Sequence, residues 1–364
     1  MKSLPPRWSH SGQARWSLFD SASPMSTQRK GILAAGNFIV DHVKIIDDYP
    51  QQDMLASIVS ESQSNGGGPY NVLKDLAAMK AGFPLAACGL VGDDENGRWI
   101  RHDLTVHGIV TAQLHCTRER TTSYTDAMTV QSTGRRTFFH QRGANALFDV
   151  IHCNFVETKA RLFHLGYLML LDRLDSFDEH GQTRAANLIA RAQAAGLETS
   201  VDAVSTEHPQ FREIALSALP FTDHLILNEV EASHILRTSL GANEPVALLG
   251  AARQLLSAGV RRTVTIHTEH GAVAATHEGE HGIQPSLQLP AGFSRGATGA
   301  GDAFAAGLLY GLHECWPLQK RLLLAVSVAA SSLADPTPSA AVLPVHECLG
   351  LSERFGFGPF GQAA

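Results

Sequence analysis

The strongest constraint on the fold is the alternation, from Gly31 onward, of short apolar runs with longer Ala/Leu-rich segments. Short apolar runs between turn residues are typical of buried strands, and the longer segments have helical periodicity. This alternation predicts βα units and a mostly parallel sheet. The predicted strands are residues 32–40, 85–91, 161–165, 198–202, 224–227 and 263–267; the predicted helices are residues 71–81, 97–106, 181–195, 230–236, 245–258, 301–313 and 320–334.

Two stretches interrupt the alternation. Residues 54–61 and 113–140 are rich in Thr, Val, Ile and Phe, with turn residues between them, which indicates antiparallel strands that form a small β flap outside the α/β core. Residues 1–29 combine three prolines with four basic residues and one acid and have no sustained periodicity, so we predict a disordered N-terminal tail.

Composition excludes several functional classes. A hydrophobic fraction of 44% and a charged fraction of 18% are ordinary for a soluble globular enzyme. The net charge is −6 and no run of Lys or Arg occurs, which argues against nucleic-acid binding. The apolar stretch 322–334 is shorter than the roughly 20 residues that a membrane-spanning helix needs. Five scattered cysteines without a C-x-x-C pair favour the reducing cytoplasm.

The most informative motif is a glycine-rich run that leads into a predicted helix. Gly299, Ala300 and Gly301 allow close approach of the backbone to a ligand, and a helix start presents unpaired N–H groups to an anion. Asp302 lies in the first turn, where a carboxylate can take a proton from a substrate hydroxyl. The alternative is purely structural: Thr298 caps the helix and Asp302 favours its dipole.

Three further segments carry polar side chains at the ends of predicted strands or helices. Residues 65–71 place three glycines before Asn71, which also fits a Gly-Pro turn with a capping residue. Asn228 and Glu231 share one helical face and suit a hydrated Mg²⁺, or they form a capping box. Asp41 follows the first apolar run and can accept hydroxyl groups of a polyol, although such a residue is usually a solvated turn acid.

Together, in this order, the segments resemble the ribokinase family, also called the phosphofructokinase B (PfkB) family of carbohydrate kinases. The resemblance covers roughly residues 30–345. Its motifs in this chain are Gly299–Asp302, Gly66-Gly67 with Asn71, Asn228 with Glu231, Gly143-Ala144-Asn145, and Gly92-Asp93-Asp94 with Gly97.

The resemblance implies a three-layer α/β/α sandwich, an inserted small β-sheet lid and ATP- and Mg²⁺-dependent phosphorylation of a hydroxyl group on a monosaccharide or sugar acid. The kinase domain is expected over residues 30–350, the lid over about 48–61 and 111–143, and a C-terminal tail over 351–364. A lid of this kind often pairs with its twin, so a homodimer is expected. The implied catalytic residues are Asp302, Gly299, Ala300 and Gly301; the substrate residues are Asn37, Asp41, Gly66, Gly67, Asn71 and Asn145; the nucleotide residues are Asn228, Thr268, Gly271 and Thr298; and Glu231 with Asn228 would hold Mg²⁺ through water.

The chain departs from the family pattern where Gly296-Ala297 replaces the usual Asp-Thr, so potassium activation is not expected. A nucleoside kinase of the same fold is the main alternative, because Tyr124, Phe138 and Phe139 could stack on a base. A catalytically inactive sugar-binding regulator is a second alternative. Residues 277–281 match the zinc-protease pattern H-E-x-x-H, but the glycine at position 279 and the strand-like flanks favour a hairpin turn.

Overall fold

Nine strands form one large sheet in the computed structural model, which describes residues 29–361. Four further strands form a separate small sheet. The strands are β1 (Ile32–Gly36), β2 (Ile39–Ile46), β3 (Ile58–Gly66), β4 (Leu85–Gly92), β5 (Val110–Thr117), β6 (Tyr124–Val130), β7 (Arg136–Gln141), β8 (Leu162–Leu168), β9 (Glu198–Ala203), β10 (His224–Asn228), β11 (Thr263–His267), β12 (Gly271–Thr276) and β13 (His281–Pro285).

The large sheet has the order β13-β12-β11-β10-β9-β8-β1-β4-β5. All neighbours from β11 to β5 are parallel, and β12 and β13 extend the sheet as an antiparallel hairpin. The mostly parallel sheet is therefore confirmed, and each of the predicted strands from residue 85 onward lies within one or two residues of an observed strand at its start. Residues 277–280 form the turn between β12 and β13, and His281 begins β13, so this segment is the hairpin turn expected rather than a metal-binding helix.

Helices cover both faces of the large sheet. They are α1 (Gly68–Ala78), α2 (Glu95–Val106), α3 (Asp172–Asp175), α4 (Arg184–Ala194), α5 (Phe211–Ala218), α6 (Glu229–Leu236), α7 (Pro245–Ser257), α8 (Ala300–His313), α9 (Leu318–Ser332) and α10 (Val345–Phe355). Side chains of β1 alternate between two hydrophobic cores: Leu33 packs with the helices from α3 to α7, and Ile32 with α1, α2, α8, α9 and α10. This arrangement is the expected three-layer sandwich.

The small sheet has the order β3-β2-β6-β7 and forms the lid. Its boundaries differ from the prediction. β1 ends at Gly36 and the chain enters the lid at Ile39, so Asp41 lies within a lid strand rather than after the first core strand. The segment 110–117, expected in the lid, is instead the edge strand β5 of the large sheet. An edge strand is half exposed, so its composition resembles that of a flap strand.

The C-terminal segment also differs from the prediction. Helix α10 continues to Phe355, Leu351 is buried, and Phe360 packs against a hydrophobic core, so residues 351–361 are not a free tail. The predicted N-terminal tail falls almost entirely on residues 1–28, outside the described residues. Within residues 29–361, no helix combines the length and the apolar character needed to cross a bilayer.

Candidate active site

Polar side chains collect at the carboxyl ends of four adjacent parallel strands. Tyr167 lies at the end of β8, Asp202 at the end of β9, Asn228 at the end of β10 and His267 at the end of β11. In open α/β sheets, ligands bind in the crevice outside these strand ends. The fold therefore directs the four side chains toward one edge of the large sheet.

The start of helix α8 faces the same edge. Gly299 caps the helix with φ 77°, a left-handed conformation that glycine adopts without strain. A Cβ atom at this position would lie 2.5 Å from Cβ of Pro338, so both the conformation and the space require glycine. Among the described residues, the N–H groups of Gly299 and Gly301 have no hydrogen-bond acceptor, as expected at a helix start that can receive an anion.

Asp302 lies beside these amide groups in the first turn of α8 and is 5% exposed. The Tyr167 hydroxyl donates a hydrogen bond to its Oδ1, and Asn71 Nδ2 donates one to its Oδ2 over 2.7 Å. Burial raises the pKa of Asp302 to about 6, while the two hydrogen bonds lower it. A carboxylate with a pKa near neutral is suited to exchange a proton with a substrate hydroxyl.

The glycine-rich segment before α1 connects Asp302 to the lid. Asn65 Nδ2 donates to Asn71 Oδ1 over 2.7 Å, which orients Asn71 toward Asp302. A Cβ atom at Gly66 would lie 2.5 Å from the carboxylate of Asp41, so only glycine leaves room for that acid. Burial raises the pKa of Asp41 to about 7; the Thr125 hydroxyl lowers it, and the charge of Asp302 raises it. The two acids thus interact across the boundary between lid and core.

Asp202 and Glu231 are two further buried carboxyl groups, and they line the same cavity as Asp302. Asn228 and Glu231 form the capping box that the sequence allowed, and Glu231 also accepts a hydrogen bond from Ser205 over 2.9 Å. Burial, above all, raises the pKa of both Glu231 and Asp202, and the negative charge of Asp302 adds to the effect in each. Buried acids of this kind favour a cation or an ordered polar ligand beside them.

Three cavities meet at residues 297–302. A cavity of about 230 Å³ contains Tyr167, Asp202, Asn228, Glu231, Gly299, Gly301 and Asp302; we call it the catalytic cavity. A cavity of about 190 Å³ lies under the lid and contains Asp41, Arg136, Phe138, Arg295 and Thr298; we call it the lid cavity. A third, of about 470 Å³, is lined by Thr268, Ala300, Gly301 and the apolar side chains of Leu287, Phe304 and Val326; we call it the apolar cavity.

Six of the predicted site residues do not line these cavities: Asn37, Gly66, Gly67, Asn71, Asn145 and Gly271. Gly66 and Asn71 contact Asp41 and Asp302 as described above, and a Cβ atom at Gly67, which has φ 87°, would lie 2.4 Å from the Asn37 carbonyl oxygen. The other three have structural partners. Asn37 accepts a hydrogen bond from the Tyr167 N–H over 2.6 Å and donates one to the Leu170 carbonyl over 3.1 Å. Asn145 bonds both the N–H and the carbonyl of Phe38, where the chain passes from core to lid. Gly271 packs beneath Phe360, whose ring would lie 2.6 Å from a Cβ atom at that position.

The cavity residues that the sequence analysis missed include Tyr167, Asp202, His267, Arg136 and Arg295. The first three end predicted strands or lie within two residues of such an end, which was the available signal. The His267 ring lies 4.7 Å from the Phe304 ring between centroids, and burial lowers the pKa of His267 to about 4, so it is neutral at pH 7. Arg136 carried no signal, because only the tertiary fold brings it to Thr298, to which it donates a hydrogen bond.

Comparison with known proteins agrees with this architecture. The family model described as pfkB family carbohydrate kinase matches residues 32–344. The chain belongs to this family. It is 30% identical over 256 residues to a fructokinase of Klebsiella pneumoniae, with 69% of this chain and 77% of that protein covered. A 78-residue segment is 40% identical to an ATP-dependent ribose-1-phosphate kinase of Halopiger xanaduensis, with 21% of this chain and 26% of that protein covered.

Solved structures confirm the ribokinase-like fold of this pfkB family member. A ribokinase of Arabidopsis thaliana complexed with ribose and ATP aligns with a TM-score of 0.72 at 18% identity, covering 89% of this chain and 98% of that one. A nucleoside kinase of Methanocaldococcus jannaschii aligns with a TM-score of 0.69 at 16% identity, and the alignment covers 90% of this chain and 99% of that one. As a member of the pfkB family, the chain is a sugar or nucleoside kinase.

Proposed function

We propose that this pfkB kinase transfers the γ-phosphoryl group of ATP to a hydroxyl group of a monosaccharide or sugar acid. The observation that carries the proposal is the position of Asp302 beside the unpaired N–H groups of Gly299 and Gly301. A base and an anion hole at one point are what phosphoryl transfer to a hydroxyl requires.

The proposed reaction divides the work among three groups of residues. Asp41, Gly66, Gly67 and Asn71 orient the acceptor so that its reacting hydroxyl faces Asp302. The hydroxyl oxygen bonds to the γ-phosphorus, the bond from that phosphorus to the bridging oxygen of ADP breaks, and the hydroxyl proton passes to Asp302. The amide groups of Gly299, Ala300 and Gly301 stabilise the charge on the transferring group.

The donor nucleotide is proposed to extend from this point into the apolar cavity. Thr268 lines that cavity, and Thr298 and Asn228 stand where phosphate oxygens would pass. Leu287, Phe304 and Val326 offer apolar surface for a purine ring. Gly271 would act only indirectly, by allowing Phe360 to pack beside the strand.

The donor set fits a magnesium ion that accompanies the nucleotide. Glu231 and Asn228 would hold it through water, and burial raises the pKa of both Glu231 and Asp202, so a cation beside them would favour their ionised forms. Within residues 29–361, no group of three or more His, Cys, Asp or Glu side chains could hold a metal ion alone, so phosphate oxygens and water must complete the shell. When bound, Mg²⁺ supplies neutralisation of the phosphate charge.

A nucleoside acceptor is the second candidate. Phe138 lines the lid cavity and is 57% exposed, so its ring is free to stack on a base. The structural match to a nucleoside kinase also supports this alternative.

The lid is further proposed to pair with the lid of a second copy. Phe139 is 52% exposed on β7, and Ile58 is 52% exposed on β3, so both edge strands of the lid present apolar surface. A homodimer in sedimentation equilibrium would support this pairing, and a monomer at the same concentration would contradict it.

The proposed function is tested with ATP, Mg²⁺ and a panel of pentoses, hexoses, sugar acids and nucleosides. Formation of a phosphorylated acceptor is followed by mass spectrometry together with ADP release, which separates transfer from ATP hydrolysis. We expect at least one sugar or sugar acid to be phosphorylated faster than any nucleoside. Phosphorylation of nucleosides alone would favour the second candidate, and the absence of any phosphorylated product would contradict both.

A further inference from the structure

The lid cavity contains two arginines in addition to Asp41. Arg136 opens lid strand β7 and is half-buried, and Arg295 lies exposed on the loop before α8 and lines the same cavity. Neither guanidinium forms an ion pair with a carboxylate within residues 29–361. Two positive charges of one small cavity therefore have no ion-pair partner among the described residues.

Asp41 does not supply that counter-charge. Its pKa is raised to about 7, chiefly by burial, whereas a guanidinium in direct contact would lower the pKa of a carboxyl group. The cavity therefore has a net positive charge whether Asp41 is protonated or ionised, because two arginines face one acid.

The position of Arg136 depends on the departure from the family pattern at residue 296. A Cβ atom on Gly296 would lie 2.8 Å from Nη2 of Arg136 and 2.9 Å from Cα of Pro336. Any larger residue at this position would displace the guanidinium. In the part of the chain that the structure describes, the hydrogen bond to Thr298 Oγ1 is the only one that the Arg136 side chain makes, so most of its five N–H donors are available to a ligand.

We propose that the acceptor bears an anionic group, a phosphate or a carboxylate, bound by Arg136 and Arg295. The planar guanidinium fork matches both groups, and Asp41 in the same cavity receives the neutral hydroxyls of the acceptor. This inference rests on the proposed function and narrows its substrate class. The lid then selects the acceptor by charge as it closes.

The test compares matched acceptors that differ only in charge: an aldose, its aldonic acid and its sugar phosphate. In the wild-type protein we expect kcat/KM to favour an anionic member by about ten- to a hundredfold, the range of a hydrogen bond to a charged group. The aldonic acid and sugar phosphate arms distinguish a carboxylate from a phosphate. A preference for the neutral aldose would overturn the proposal.

Two variants and one control assign the effect to the cavity. Arg136→Gln and Arg295→Gln are expected to bring the anionic-to-neutral ratio of kcat/KM toward one. Arg135→Gln removes the same charge from the exposed neighbour of Arg136 and is expected to keep the wild-type ratio. If kcat/KM falls equally for neutral and anionic acceptors, Arg136 only holds the lid to the core. If the KM for ATP rises in parallel, the arginines bind the phosphoryl donor. Either result would overturn the proposal.

A binding measurement separates this proposal from the proposed function. Calorimetric titration of the wild-type protein and the two variants with the three acceptors, without ATP, reports acceptor binding alone. Anionic acceptors that bind the wild type and not the variants would support the charge selection even if no phosphoryl transfer occurred. Transfer without charge discrimination would leave the kinase function intact and contradict the selection.

Discussion

The edge of the large sheet and the lid contribute to one site in different ways. At the sheet edge, the acids are buried and fixed by hydrogen bonds: Tyr167 and Asn71 donate to the Asp302 carboxylate, and the backbone N–H and Nδ2 of Asn228 donate to the Glu231 carboxylate. The lid instead leaves large apolar side chains exposed, including Phe138 and Phe139, and contributes to the cavity an arginine that has no acidic partner within residues 29–361. In the proposed function, the preorganised edge performs the chemistry and the lid selects the acceptor.

Among the variants that leave every charged residue of the edge in place, the largest effect is predicted for Gly299. Gly299→Ala combines a left-handed φ with a Cβ atom 2.5 Å from Pro338, so the anion-hole amides must move. We expect kcat to fall by about a hundred- to a thousandfold, the range for loss of an oxyanion donor. Gly292→Ala is the matched control, because Gly292 has φ 79° and no atom within 4 Å of its Cβ position. An equal kcat for the two variants would contradict the proposed anion hole.

A smaller effect is predicted for the acid of the lid. Asp41→Asn keeps the shape of the side chain and removes the charge that accepts the hydroxyl groups, so kcat/KM for the acceptor should fall by about ten- to a hundredfold. Asp126→Asn tests the opposite face of the lid sheet, where Asp126 pairs with Lys44. If kcat/KM for the acceptor is the same in the two variants, the inner face of the lid does not bind the acceptor.

The pH dependence of kcat/KM sharpens the assignment of the base. The proposed reaction requires ionised Asp302, so activity should fall as the pH drops below about 6, the value to which burial raises the pKa of this carboxyl group. Tyr167→Phe removes a hydrogen bond that lowers this pKa, and the acid limb should therefore move to higher pH by about half a unit to one unit. If the acid limb of the profile stays in place or moves to lower pH, Tyr167 does not lower the pKa of the base.

The smallest effect concerns stability without ligands. Burial raises the pKa of Glu231, so the folded state binds a proton more tightly than the unfolded state, and the free energy of unfolding decreases as the pH rises through the folded pKa. Glu231→Gln keeps a residue that can form the capping box and removes the charge. We expect its Tm to exceed that of the wild type by about 2–4 °C near pH 8, with the gain shrinking toward pH 5. A lower Tm near pH 8 would show that the buried charge is not destabilising.

The sequence predicted the large sheet and the edge site better than the lid. Residues 299–302 and the pair Asn228 and Glu231 lie where a strand end or helix start determines position, so local pattern sufficed to find them. Asp41 was assigned to the wrong element because residues 32–40 form one apolar run, and only the hydrogen bonds of Asn37 and Asn145 show where the chain turns into the lid. Arg136 meets Thr298 across 162 positions, and no local pattern encodes such a contact.

The most direct test of the account is the turnover of Asp302→Asn with a saturating acceptor, measured beside acceptor binding by calorimetry. The account predicts that turnover falls by about a hundred- to ten-thousandfold while the acceptor Kd stays close to that of the wild type, because the edge performs the chemistry and the lid cavity holds the acceptor. Turnover within a few-fold of the wild type, in a variant that still binds the acceptor, would contradict the assignment of Asp302 as the base.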